Sequence, residues 1–255
     1  MSYQLQQPLV FDMPESDPYH EIHGIQRGVS IRYRGASLIG EGVGIGGVVG
    51  VTSKKAIFPL RADLVDQKGR ELLKIFHLNG ISLKFIGPFL VEKPYKALKA
   101  VLSQPYLSSR YYRPAYILMM AARTSLGVRS RYVEIGSLGT VSVRYRLDGD
   151  TVLVDASADI PKGLKLFYGN ELSGRLFTHL RVGSRPSKFT PWMEVSDEVT
   201  LSAPALNLSM TFYPLKDCRM FVGREVLGRR LDWAGVSYQT SKPNISYRVG
   251  FRWRT

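Results

Sequence analysis

Asp155, Asp159, Glu171 and His179 are the residues of this chain whose types best suit acid and base work. Proton transfer needs a carboxylate and an imidazole within hydrogen-bond reach, and strands joined by tight turns can bring such groups together across a cleft. The plainer reading is that they are turn residues and surface pairs. A metal reading attaches to ESDPYHEIHG, with Glu15, Asp17, His20, Glu21 and His23. On a helix the two histidines would share a face. Pro18 and Gly24 favour a short turn instead, a strand would point the rings to opposite sides, and the spacing falls one residue short of H-E-x-x-H. No metal and no cofactor is therefore expected. Nucleophilic catalysis finds no support, because G-x-S-x-G is absent and Cys218 stands beside Asp217, which disfavours its thiolate. As the single cysteine, Cys218 excludes an intrachain disulfide and a thiolate metal cluster.

The glycine run LIGEGVGIGGVVG offers a phosphate loop, since Gly42, Gly44 and Gly47 satisfy G-x-G-x-x-G. In a dinucleotide fold that loop opens a helix. Here it runs into VVGVTSKKAIFP, a β-branched stretch ending in proline, so a strand with a bare side for close approach is the better expectation.

The arginines form the most regular pattern. VSIRYR, Val29 to Arg34, returns as VSVRYR, Val141 to Arg146, and ISYRVGFRWR closes the chain with the same grammar. On strands, Val29, Ile31 and Tyr33 fall on one side, and Arg32 and Arg34 on the other. Arg144 and Arg146, then Arg248, Arg252 and Arg254, repeat the arrangement. Were the three strands neighbours, they would carry a guanidinium face able to hold phosphates or carboxylates through paired hydrogen bonds. The competing expectation is that each arginine pairs locally, with Asp148, Asp150 or Glu134. The VS-x-RYR recurrence admits a duplicated unit, but two strands facing one core explain it more simply.

These sites need a frame, and alternation supplies it. The period of two, the turn signals and the short segments Leu164 to Tyr168, Leu176 to Val182, Leu206 to Phe212, Arg219 to Val222 and Gly235 to Gln239 predict a mostly β protein, an antiparallel sandwich or open barrel. Two hairpins are expected, turning at Asn79–Gly80 and at Asp148–Gly149 as type I′. Between β halves at about 28–86 and 131–255, a Pro-punctuated segment at about 94–127 is expected to hold one or two helices, all within a single domain over 1–255.

Thirty-five Lys plus Arg against 21 Asp plus Glu leave a formal charge of +14. That excess attracts polyanions over roughly 8 Å in physiological salt. No stretch reaches the roughly 20 apolar residues of a membrane-spanning helix, and the amino terminus lacks the pattern of a signal peptide. A cytoplasmic binding protein is the expectation, with an anionic partner that is nucleic acid, anionic lipid or acidic protein. The alternative is an enzyme or carrier that encloses a small, largely apolar ligand between sheets.

Overall fold

In the computed structural model, backbone pairing follows the alternation of the sequence. Val141, Val143, Tyr145 and Leu147 are buried, while Arg144 and Arg146 between them and Asp148 after them are exposed. The structure describes residues 9–12, 26–40, 42–52, 56–57, 59–86, 125, 129–190, 193–227 and 231–253. Their strands are, in chain order, β1 (Leu9–Asp12), β2 (Ser30–Tyr33), β3 (Ala36–Ser37), β4 (Gly44–Val51), β5 (Ala56–Ile57), β6 (Pro59–Lys68), β7 (Glu71–Ile86), β8 (Arg129–Asp148) and β9 (Thr151–Asp159). They continue with β10 (Lys165–Ser173), β11 (His179–Val182), β12 (Arg185–Ser187), β13 (Met193–Val195), β14 (Val199–Ala203), β15 (Leu208–Phe212), β16 (Arg219–Leu227), β17 (Leu231–Thr240) and β18 (Asn244–Trp253).

Among the described residues these strands form three antiparallel sheets. One holds nine strands in the order β12-β11-β14-β15-β18-β9-β8-β7-β6, a second holds six as β13-β16-β17-β10-β4-β5, and a third is β1-β2-β3. The two large sheets face each other as in a β-sandwich. Tyr145 of β8 donates its hydroxyl to the Gly46 carbonyl of β4 at 2.9 Å, and Tyr247 of β18 donates to Asn170 Oδ1 of β10 at 3.0 Å. The Tyr247 ring also lies 4.8 Å from that of Tyr238 on β17. Ile31, Val143 and Val249, one from each arginine strand, are at most 1% exposed, so the three strands turn their apolar sides into one core.

Two local expectations need correction. Asn79 and Gly80 make no turn: β7 runs through them to Ile86 and stays paired with β8, the mismatch being absorbed by register shifts at His77/Asn79 and Asn79/Ile81. Pairing along the length of a long neighbour outweighs the local preference of Asn-Gly for a turn, and a bulge accommodates it. The hairpin actually closing β6 onto β7 pairs Lys68 with Glu71 around Gly69, whose φ is +55°. The β8–β9 hairpin forms where expected, but Asp148 pairs with Thr151, so its central residues are Gly149 and Asp150. Only Gly149 of that pair has positive φ, which rules out type I′. The five shorter strands foreseen from turn signals are present in β10, β11, β15, β16 and β17. The expected helical segment at 94–127 lies outside the described residues apart from Ser125. Among the described residues no helix is long and apolar enough to cross a membrane.

Candidate functional site

Two of the three arginine strands share a sheet. β18 and β8 flank β9, and the register sets Arg248, Leu153, Arg146 and Glu71 in one row and Ser246, Asp155, Arg144 and Leu73 in the next. The guanidiniums on β8 are neutralised there. Arg144 Nη1 donates to Glu71 Oε1 at 2.9 Å, and Arg146 Nη2 to Asp155 Oδ2 at 3.4 Å. Neither acid is among the local partners weighed from the sequence, because the pairing runs across strands. Arg32 is exposed on β2, in the separate three-stranded sheet. Arg34 is not on a strand but in the β2–β3 turn, with φ +48° and its guanidinium 5.3 Å from the Tyr33 ring. Arg254 lies outside the described residues.

The four acid–base candidates are spread out. Asp155 and Asp159 are both on β9, where the Asp155 carboxylate also accepts the Ser246 hydroxyl. Exposed His179 begins β11, four strands from β9 and therefore about 19 Å away at a strand spacing of roughly 4.8 Å. Glu171 belongs to β10 in the opposite sheet, where its Oε2 accepts the Val43 N–H at 3.1 Å. No acid–base pair forms among them. His20, His23 and the acids around them lie outside the described residues.

The glycine run becomes strand β4, packed as closely as its composition suggested. A Cβ at Gly46 would stand 2.6 Å from Tyr145 Cε1, and one at Gly44 would stand 2.6 Å from the Val29 carbonyl oxygen. Both residues have positive φ, +67° and +78°, so they open a bulge against β10 at Asn170. Asn170 is fully buried, and nothing in the sequence singled it out. Its Oδ1 accepts from the Gly46 N–H at 3.1 Å as well as from Tyr247, and its Nδ2 donates to the Val236 carbonyl at 3.1 Å. Burial foremost pushes the phenols of Tyr145 and Tyr247 well above their ordinary range, which keeps both as donors.

Sequence reasoning also missed a polar strip on the outer face of the nine-stranded sheet. Register aligns Arg252, Ser209, Ser202 and His179 across β18, β15, β14 and β11, and Gly250, Thr211, Thr200 and Arg181 in the next row. The hydroxyls pair across the strands, Ser202 with Ser209 at 2.9 Å and Thr200 with Thr211 at 3.3 Å. Among the described residues, Arg252 and Arg181 have no ion-pair partner, and Arg248 lies 4.9 Å over the Tyr213 ring. The only signal available beforehand was the alternation of LSMTF and VTLSA, which reads equally as an ordinary solvated face. A depression of about 610 Å³ lies instead over β7, β8, β9 and the start of β18, where Asp155 lines it together with Arg144.

No family model matches the chain. No curated protein matches it either. Among solved structures, a galactose mutarotase-like protein from Lactobacillus casei ATCC 334 aligns with a TM-score of 0.39 at 9% sequence identity, covering 88% of this chain and 92% of that one. A likeness at that level assigns no residue a role.

Proposed function

We propose that this chain is a binding protein that holds the sugar–phosphate backbone of a nucleic acid along the strip from β18 to β11. The observation that carries the reading is the contrast between arginines of one sheet: Arg144 and Arg146 are matched by Glu71 and Asp155, whereas Arg252 and Arg181, without an acidic partner among the described residues, stand at opposite ends of two adjacent rows of hydroxyls. Three strand spacings separate the two cationic edges, about 14 Å. Guanidiniums take phosphate oxygens in paired hydrogen bonds, and serine and threonine hydroxyls add single ones. The net charge of +14 draws a polyanion to the surface before any contact forms. Backbone contacts carry no sequence information, so binding would be insensitive to base order and steeply dependent on salt.

Fluorescence anisotropy of labelled oligothymidylate, taken across a sodium chloride series, tests this. In the triple variant Arg181→Ala, Arg248→Ala, Arg252→Ala, affinity is expected to fall and the slope of log K against log salt to flatten by about 2, roughly 0.7 for each lost phosphate contact. Arg144→Ala should change neither. Equal losses in both variants, or none in the triple, would remove the strip from the reading.

The alternative, a small and largely apolar ligand, was expected between the sheets; what supports it is an apolar cleft on the outward face of the six-stranded sheet.

A further inference from the structure

The outward face of the six-stranded sheet carries a cleft of about 420 Å³ that the nucleic-acid reading leaves unused. Its floor is set by register. Gly47 of β4, Gly169 of β10 and Ser237 of β17 stand side by side in one row, which Phe221 of β16 completes. Two of the three floor positions have no side chain, so the bare backbone makes a flat surface. The walls are apolar. Val49 and Phe167 rise from the next row, Phe221 packs 6.0 Å from Phe167, and Val43 leans in from the far side. A Cβ at Gly169 would come within 3.2 Å of Val43 Cγ2, a measure of how near that wall stands to the floor. Glu171 holds the wall in place by accepting the Val43 N–H.

One hydroxyl lies on the floor. Ser237 is 5% exposed and lines the cleft, so its hydroxyl is open to a ligand seated there. A flat, mostly apolar trough with a hydroxyl on its floor is the composition of a small-molecule site, in which apolar contact supplies affinity and a polar group fixes orientation.

We propose that this cleft binds a small, flat, uncharged ring compound bearing one hydrogen-bonding group, with the ring lying on Gly47 and Gly169 between Phe167 and Val43 and the polar group bonded to Ser237. Charged ligands are disfavoured, because the cleft surface is apolar and the nearest carboxylate, Glu171, is engaged with the backbone.

N-phenyl-1-naphthylamine is a suitable probe. It is uncharged and flat, it carries one N–H that can donate to the serine oxygen, and its emission brightens in apolar surroundings. Titrated into the full chain, it should saturate at one molecule per chain. Gly169→Val fills the floor and should weaken binding at least tenfold. Ser237→Ala leaves the shape intact and should weaken it about fivefold through loss of one hydrogen bond. Circular dichroism and thermal melting confirm that each variant is folded, and the serine variant decides alone if Gly169→Val does not fold. Failure of the probe to saturate, or an affinity unchanged in Ser237→Ala, would overturn the proposal.

Discussion

Asn170 shows how much of this molecule rests on single side chains. It is 0% exposed and satisfies groups on three strands at once: the Gly46 N–H of β4, the Val236 carbonyl of β17 and, across the interior, the Tyr247 hydroxyl of β18. Asn170→Ala strands all three partners in a dry interior. The expected loss is on the order of 3 kcal/mol, read as a lower urea midpoint with unchanged slope. Nothing in YGNEL announces this, because an asparagine flanked by glycine and glutamate reads first as a turn former. Cys218 is the opposite case. Its neighbour Asp217 already argued for a suppressed thiolate, and in the fold burial raises the thiol first, with Asp217 adding and the Thr240 hydroxyl opposing. Labelling by a disulfide reagent should therefore run slower than for a free thiol at about pH 8 and keep accelerating above the ordinary cysteine range.

At the scale of elements, the edge strand β13 illustrates how short segments are held. It has three residues, Met193–Val195, and Glu194 grips Arg219 of β16 through both carboxylate oxygens. Arg219 in turn lies 5.1 Å over the Phe221 ring. The hydrogen bond to Arg219 foremost, then its charge, holds the Glu194 carboxyl below the usual carboxylate range. A depressed folded value means that the pair stabilises above the unfolded pKa and that its contribution disappears as pH falls through the folded value. Hydrogen exchange in β13 should consequently rise as pH drops from about 5 towards 3, after correction for intrinsic exchange, and Glu194→Gln should remove that dependence. The effect is small, since the pair is exposed and salt screens it. Elements also mark where local reasoning stops. Alternation located β10, β11, β15, β16 and β17, because a half-buried strand writes its two faces into every second residue. It could not foresee that Asn79 and Gly80 would be drawn into a bulged strand, since the deciding partner, β8, lies dozens of residues downstream.

For the whole molecule, the consequence of packing two sheets face to face is that their outer surfaces become separate working faces. The nine-stranded sheet presents arginines and hydroxyls, and the six-stranded sheet presents glycine, valine and phenylalanine. Both sheets draw strands from before residue 87 and after residue 128: β4 and β5 join β10, β16 and β17, while β6 and β7 join β8 and β9. The recurring VS-x-RYR stretches illustrate the outcome. One lies in the three-stranded sheet and the other in the nine-stranded sheet, with different neighbours, yet Tyr33 and Tyr145 are both fully buried. What the chain's own order of residues determined was the in–out pattern of each strand, the close approach at β4 and the excess of positive charge, all of which are properties of a residue and its near neighbours. Which arginines are matched by acids, which glycines share a row and which asparagine lies at the centre were decided only in three dimensions. Register between strands far apart in the chain is fixed by the fit of whole faces, and no window of sequence contains both partners.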